Sequence, residues 1–188
     1  MVIKNILILG STFLTELVVD KLYDKYNLIG YVPSVNPTKS GKIDLPIVDI
    51  DTECDIKLSI QYDKIVTNID NSFNLHTGLL PEYGGTNILD YAIKNKEKEQ
   101  GLTFHKMTDK LDYGPIISKV TYPILPEETS FDLYKKVLLL GPSFVEMSLE
   151  LLEKMSDDEV HMCFKKEPTI YKRGEFKVDK RIKNYDSE

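Results

Sequence analysis

Two short segments of this sequence carry polar side chains at a spacing that could support catalysis. Asn74 and His76 alternate with apolar residues in Phe-Asn-Leu-His, so both side chains should point to one side of an extended strand. An amide and an imidazole side by side can hold a carbonyl oxygen while negative charge develops on it. Asp112 precedes Tyr-Gly-Pro on a predicted loop between two strands, where open α/β sheets place ligands.

A third segment, Gly10-Ser11-Thr12, follows an apolar run and could bind a phosphate through free backbone N–H groups at a helix N-terminus. It lacks the GxGxxG fingerprint and the Gly-Lys-Ser/Thr of a P-loop, so a tight strand-to-helix turn is an equally good interpretation. Taken alone, His76 could also be a packed histidine and Asp112 a turn residue. The residue types by themselves leave these alternatives open.

The elements that must position these residues follow a β–α–β pattern. Residues 3–9 form a continuous apolar run, residues 14–22 carry apolar side chains at helical spacing, and residues 27–32 are apolar again. This order predicts an α/β fold with a Rossmann-like, doubly wound and mostly parallel sheet.

The rest of the pattern predicts one domain with a short C-terminal extension. Further strands are expected at 45–50, 63–67, 73–76, 102–107 and 116–122, and helices from Thr86 or Asn87 to Lys96 and from Thr129 or Ser130 onward. Gly141-Pro142 should bend or split the last helix, because proline removes a backbone donor. Residues 1–155 would form the domain, and residues 156–188 a charged extension that wraps around it and ends loosely.

The composition excludes several classes of protein. The 188 residues are 41% hydrophobic, enough for the core of one domain, and the formal net charge is −6 with both signs mixed, which argues against nucleic acid as a partner. Cys54 and Cys163 lack the spacing of a zinc site or a disulfide framework, so no metal is expected. The N-terminal apolar run is too short for a membrane span and has no signal-peptide cleavage region. We therefore expect a cytoplasmic protein with no membrane association.

Two longer motifs contain the candidate residues. The stretch FNLHTGLLPEYGG resembles the NxHPSLLPxYRG signature of the folate-dependent formyltransferases, and GLTFHKMTDKLDYGPII resembles their second signature, GxTxHxMxxxxDxGPII. The order and separation of the two motifs match as well, and the similarity extends over about Lys4 to Glu153. The resemblance implies a formyltransferase catalytic domain in which Asn74, His76 and Asp112 are the catalytic asparagine, histidine and aspartate.

The same resemblance implies the ligands. N10-formyltetrahydrofolate would be the co-substrate, with no metal, and its pterin would be held mainly by the backbone of two segments: Tyr62, Lys64, Ile65 and Val66, and Thr108, Asp109 and Leu111. The amine acceptor would lie near Gly10, Ser11, Thr12, Thr77 and Gly78. The chain departs from the first signature at Thr77-Gly78, which replace Pro-Ser, and at Gly84, which replaces arginine.

Length and loop sequence narrow the choice within the family. The chain has no room for the additional C-terminal domain of methionyl-tRNA formyltransferases or the N-terminal domain of formyltetrahydrofolate hydrolases, and Gly10-Ser11-Thr12 differs from the SGxGSN loop of glycinamide ribonucleotide transformylase. We therefore expect the acceptor to be an amino sugar, nucleotide-linked, with glycinamide ribonucleotide as the alternative. A non-catalytic folate- or nucleotide-binding module is a third hypothesis. The apolar helix over 137–152 leaves room for a homodimer, although packing into the core is favoured.

Overall fold

A six-stranded sheet organises this protein in a computed structural model that describes residues 3–37 and 39–172. The elements in chain order are β1 (Asn5–Leu9), α1 (Phe13–Leu22), β2 (Asn27–Val32), β3 (Ile56–Ile60), β4 (Ser72–His76), β5 (Gly84–Gly85), α2 (Ile88–Lys94), β6 (Glu99–Lys106), β7 (Ile116–Pro123), α3 (Ser130–Glu153), α4 (Asp157–Met162) and β8 (Ile170–Tyr171).

The strand order of the sheet is β2-β1-β3-β4-β6-β7. Strands β2, β1, β3 and β4 are parallel, whereas β6 runs antiparallel to β4 and β7 antiparallel to β6. The predicted Rossmann-like, mostly parallel α/β fold is therefore confirmed. The chain proceeds outward in opposite directions from β1 and β3, so the crevice between these two strands is the switch point at which such sheets bind ligands.

The two faces of the sheet are covered differently. The buried apolar residues of α1, α2, α3 and α4 all belong to one large core cluster, together with Phe73 and Leu75 of β4. On the opposite face, a smaller cluster contains Leu7, Leu9 and Val66, and apolar residues of the connecting segments pack around it. Because side chains alternate along a strand, Asn74 and His76 lie on this second face, which is covered by loops.

Capping explains where the long helices begin. Thr12 forms a capping box at the start of α1, and Thr129 forms one at the start of α3.

Helix α3 runs unbroken through Gly141-Pro142, so the expected split does not occur. A Cβ on Gly141 would lie 2.9 Å from Leu14 Cδ1, and this close packing of α3 against α1 holds the helix together where proline removes one hydrogen bond. Leu139, Met147 and Leu151 of α3 are exposed, and dimerisation stays a prediction.

Two predicted strands are wrong, and one strand of the six-stranded sheet was not predicted. Residues 45–50 form only an isolated bridge between Tyr31 and Ile47, because Pro46 has no N–H to continue a ladder. Residues 63–67 lie in a loop, since the chain leaves the sheet at Gln61, whose φ is 50°. The strand in this region is β3, which carries Lys57 and Ser59 between its apolar residues and therefore lacks a continuous apolar run.

The C-terminal extension forms a short helix and a short strand over its described part. Helix α4 begins at a capping box on Ser156, and β8 pairs in parallel with β5. The extension thus returns to the domain over its described part, and the division at residue 155 stays a prediction. The end that was expected to be loose, residues 173–188, lies outside the described part of the chain. Within residues 3–37 and 39–172, no helix is both long and apolar enough to cross a membrane.

Candidate active site

The register of β4 against β6 places Asn74 directly opposite His105. The Asn74 Nδ2 group donates to His105 Nε2 at 3.2 Å, while His105 Nδ1–H donates to the carbonyl of Lys106 at 3.0 Å. This assignment makes His105 a neutral imidazole with its lone pair on Nε2. Since an amide nitrogen carries two hydrogens, the contact with His105 orients the Asn74 amide and leaves its second N–H for a ligand.

The environment of His105 keeps its ring uncharged. Its side chain is 2% exposed, and burial, followed by repulsion from His76, lowers the pKa of His105 to about 4, against an opposing effect of Asp112. At neutral pH the ring can therefore accept the Asn74 hydrogen bond. The sequence prediction missed this residue as part of the site, although it is the histidine of the second motif.

His76 is the last residue of β4, and its ring is fixed from both sides. Nε2–H donates to the Tyr83 carbonyl at 2.6 Å, and Nδ1 lies 3.6 Å from Asp112 Oδ1. The Tyr83 backbone is itself held by a 2.7 Å hydrogen bond from its N–H to the Leu79 carbonyl. Because Nε2 is already engaged, any donation from His76 to a developing oxyanion must come from Nδ1.

Asp112 lies between β6 and β7 in the left-handed backbone region, with φ 49°. Its Oδ2 accepts a 2.7 Å hydrogen bond from the Gly85 N–H, and its Oδ1 lies 3.9 Å from His105 Nε2 as well as facing His76. The structure thus brings the three expected residues together with His105; we call Asn74, His76, His105 and Asp112 the polar cluster. Among the described residues, no group of three or more His, Cys, Asp or Glu side chains is arranged to hold a metal ion.

The segments expected to hold folate have mixed surroundings. Val66 is buried in the smaller apolar cluster and Tyr62 packs against that cluster, whereas Lys64 and Ile65 are exposed. In the other segment, Thr108 Oγ1 bonds to the carbonyls of Lys110 and Tyr113 and shapes the loop before Asp112. Asp109 and Leu111 of that loop are exposed.

The turn at Gly10, Ser11 and Thr12 uses most of its donors within the protein. The Gly10 N–H donates to the Val32 carbonyl at 3.0 Å, and the Phe13 N–H donates to the Lys39 carbonyl at 2.7 Å. Thr12 is 1% exposed, caps α1 and donates to Gln61 Oε1 at 3.0 Å. This geometry favours the structural interpretation of the turn over a phosphate site.

Residues 77 and 78 connect His76 to the loop that precedes β5. A Cβ on Gly78 would lie 2.6 Å from Ile88 Cγ2 and 3.0 Å from His76 Nε2, so the position requires glycine. Gly78 and its neighbour Leu80 are anchored by Thr103, which donates to the Gly78 carbonyl at 2.7 Å and accepts from the Leu80 N–H at 3.1 Å. Thr77 is half-buried beside them.

Two further groups at the site, the Tyr83 carbonyl and the Gly85 N–H, were also missed. They act through the backbone, and backbone groups leave no mark on residue identity beyond the glycine itself. Gly84 lies between them, where the resembled signature has arginine. A Cβ at Gly84 would lie 3.0 Å from both Ile170 and Pro168, so the extension occupies the space beside this residue.

Comparison with known proteins finds a similarity to formyl transferases. Residues 61–147 match the family model of the formyl transferases. This match covers slightly less than half of the 188 residues. The bifunctional polymyxin resistance protein ArnA of Wigglesworthia glossinidia brevipalpis is 36% identical over 112 residues, and the methionyl-tRNA formyltransferase of Thermotoga neapolitana is 33% identical over 129 residues. The matches cover 56% and 61% of this chain but only 17% and 40% of those proteins.

Solved structures agree with the fold. The sugar 3N-formyl transferase WlaRD, crystallised in the presence of dTDP and 5-N-formyl-THF, superposes with a TM-score of 0.76 at 24% identity, covering 92% of this chain and 71% of its own. The phosphoribosylglycinamide formyltransferase of Bacillus halodurans gives a TM-score of 0.69 at 19% identity, covering 82% of this chain and 98% of its own. These two structures support the fold, and the family-model match over residues 61–147 confirms the resemblance to formyltransferases seen in the two motifs.

Proposed function

We propose that this protein transfers a formyl group from N10-formyltetrahydrofolate to the amine of a nucleotide-linked amino sugar. The observation that carries the proposal is the polar cluster, in which His105 contacts the Asn74 amide at 3.2 Å and the buried Asp112 carboxylate lies 3.6 Å from His76 and 3.9 Å from His105. Taken one at a time, the same residues would have ordinary structural explanations.

The reaction makes one C–N bond and breaks another. The acceptor amine attacks the formyl carbon and negative charge develops on the formyl oxygen; the bond to N10 then breaks, the amine loses a proton and N10 gains one. The second N–H of Asn74 is suited to donate to the developing oxyanion. Loss of one such donor typically costs roughly 3–4 kcal/mol of transition-state stabilisation.

Asp112 and His76 would handle charge and protons. Asp112 accepts the proton of the attacking amine, directly or through water, and its Oδ1, 3.6 Å from His76 Nδ1, would stabilise positive charge that develops on the His76 ring during the reaction. His76 presents Nδ1 to the reacting atoms because Nε2 is bonded to Tyr83. In this scheme Asn74 orients the formyl group, while His76 and Asp112 move the proton.

For the donor, the two loops that flank the second face of the sheet offer apolar surface. Ile65 is 91% exposed and Leu111 is 64% exposed, and each belongs to one of the two segments proposed to hold the pterin. Large apolar side chains exposed at a site, next to backbone polar groups, suit a flat heterocycle that is bound by stacking and by main-chain hydrogen bonds. These features support folate as the donor.

The choice of an amino sugar over glycinamide ribonucleotide rests on the turn before α1. The phosphate of the purine acceptor would need free N–H groups there, but those of Gly10 and Phe13 donate to the protein itself. The shared fold with WlaRD over most of this chain is compatible with a sugar acceptor. Glycinamide ribonucleotide stays the alternative, because the phosphoribosylglycinamide formyltransferase of Bacillus halodurans shares the fold over 98% of its own chain.

An acceptor screen tests the proposal. The protein is incubated with N10-formyltetrahydrofolate and one acceptor from a panel of dTDP- and UDP-linked amino sugars, glycinamide ribonucleotide and methionyl-tRNA, and the product is read by mass. We expect a formylated nucleotide sugar. Formylation of glycinamide ribonucleotide or methionyl-tRNA alone would overturn the choice of acceptor, and tight folate binding without any transfer would favour the non-catalytic module.

A further inference from the structure

The C-terminal extension is hydrogen-bonded to the segment that follows the first motif. The Thr169 N–H donates to the Pro81 carbonyl at 2.8 Å, the Gly84 N–H to the Thr169 carbonyl at 2.9 Å, and the Thr86 N–H to the Tyr171 carbonyl at 2.9 Å. These bonds add β8 beside β5 as a two-stranded parallel ribbon outside the main sheet. Residues 81–86 are therefore held by a part of the chain more than 80 positions away.

Aromatic contacts add to the hydrogen bonds between the C-terminal extension and the segment after the first motif. The Tyr171 ring stacks on Tyr83, with centroids 5.0 Å apart and planes 10° apart, and also meets the Tyr91 ring at 4.5 Å. Asn95 Nδ2 lies within donating distance of both hydroxyls, at 2.9 Å from Tyr83 and 3.3 Å from Tyr171. Tyr171 thus contacts the side chain of Tyr83, and the backbone carbonyl of Tyr83 binds His76.

The second residue of β5, Gly85, must be glycine because β8 comes very close to it. Gly85 has φ +95°, and a Cβ built there would lie 2.0 Å from the Tyr171 carbonyl oxygen. Only glycine lets the extension come so near while the Gly85 N–H points the other way, to Asp112 at 2.7 Å. The segment therefore has the extension on one side and the polar cluster on the other.

We propose that β8, and Tyr171 in particular, positions His76 and Asp112 for catalysis. The inference rests on the proposed function, since it assigns Tyr171 a role in the formyl transfer carried out by those two residues. Tyr171 touches neither of them. It acts by fixing Tyr83, whose carbonyl holds His76 Nε2–H, and the adjoining Gly85, whose N–H holds the Asp112 carboxylate.

Three full-length variants test the inference. Tyr171→Ala removes the ring, Tyr171→Phe keeps it, and Val160→Ala removes buried methyl groups from α4, an element of the same extension that is not part of β8. The measurements are kcat and KM for N10-formyltetrahydrofolate with the acceptor found in the screen, the tautomer of His76 from its ring ¹⁵N shifts, and amide exchange at Gly85. The last two measurements need no acceptor.

For Tyr171→Ala we expect kcat to fall by roughly 10- to 100-fold, as small displacements of catalytic groups do, with KM changed by less than about threefold. The Gly85 amide should exchange faster, and the His76 ring should lose its preference for the Nε2–H tautomer. Tyr171→Phe and Val160→Ala should resemble the wild type in all three measurements.

Two results would overturn the positioning role: an unchanged His76 tautomer in Tyr171→Ala, or an equal loss of kcat in Tyr171→Ala and Val160→Ala. If the wild type formylates no acceptor but Tyr171→Ala still shifts the His76 tautomer and Gly85 exchange, the proposed function fails and the structural coupling stands. The two failures are therefore distinguishable.

Discussion

Replacing Asp112 by asparagine removes the negative charge of the polar cluster with little other change. Asparagine tolerates the left-handed backbone at this position, where φ is 49°, better than most residues do. Its side-chain oxygen can still accept the hydrogen bond that the Gly85 N–H now gives to Oδ2 at 2.7 Å. The variant should fold and keep the loop before β7, so a change in turnover reports on the lost charge.

The size of the effect follows from the distance to His76. The two side chains are 7% and 8% exposed, and His76 Nδ1 lies 3.6 Å from Asp112 Oδ1. At an effective dielectric constant of about 20, opposite charges at this distance attract by roughly 4–5 kcal/mol, and desolvation offsets part of that. A net loss of about 3 kcal/mol in the transition state corresponds to roughly a 100-fold fall in kcat.

The assay compares Asp112→Asn with the wild type and with Asp70→Asn, which removes one charge from an exposed aspartate just before β4. Initial rates of product formation are measured by mass at saturating N10-formyltetrahydrofolate, and thermal unfolding confirms that all three proteins are folded. Near-normal turnover by folded Asp112→Asn would refute the assignment of Asp112 to the chemistry. An equal loss in Asp70→Asn would show that the effect is merely one of overall charge.

Two further predictions concern stability. Because burial lowers the pKa of His105 to about 4, from an ordinary value of 6.5, the unfolded chain takes up a proton over this interval that the folded chain does not. The contribution of the neutral His105 ring to the free energy of unfolding is complete above pH 6.5 and is lost as the pH falls toward 4. Over this pH range, urea unfolding should show that the free energy of unfolding falls by roughly 1–3 kcal/mol more in the wild type than in His105→Gln. Parallel pH dependences of the two proteins would contradict this prediction. Thr12→Ala should lower the free energy of unfolding by about 1 kcal/mol through loss of the α1 cap, whereas Thr67→Ala at an exposed site should not.

Local periodicity was sufficient to predict part of the site. Alternation in Phe-Asn-Leu-His puts Asn74 and His76 on one face of β4, and the structure has them there, with Phe73 and Leu75 in the core on the other face. The pairing of Asn74 with His105 could not be predicted in the same way. It depends on the register of β6 against β4, which is set by the loop and helix between them rather than by either strand alone.

The strand prediction failed where polar residues interrupt the apolar pattern. In β3, Lys57 and Ser59 alternate with isoleucine and leucine, which is unusual for a parallel strand covered on both faces. The structure explains the lysine: its Nζ donates to the Asn68 carbonyl at 3.2 Å, in the loop that covers this face. A loop can supply such a carbonyl, whereas a packed helix face has its carbonyls engaged in its own hydrogen bonds.

The same asymmetry explains why the polar cluster lies where it does. A face packed against α1, α2 and α3 must be apolar, because helices present side chains to the sheet and few backbone groups that could satisfy a buried polar partner. The loop-covered face offers carbonyl and N–H groups at short range, and the bonds of His76 to the Tyr83 carbonyl and of Asp112 to the Gly85 N–H use two of them. Irregular backbone at this face therefore permits buried polar side chains. The contacts that hold this backbone in place, including those with β8, then also determine the positions of His76 and Asp112.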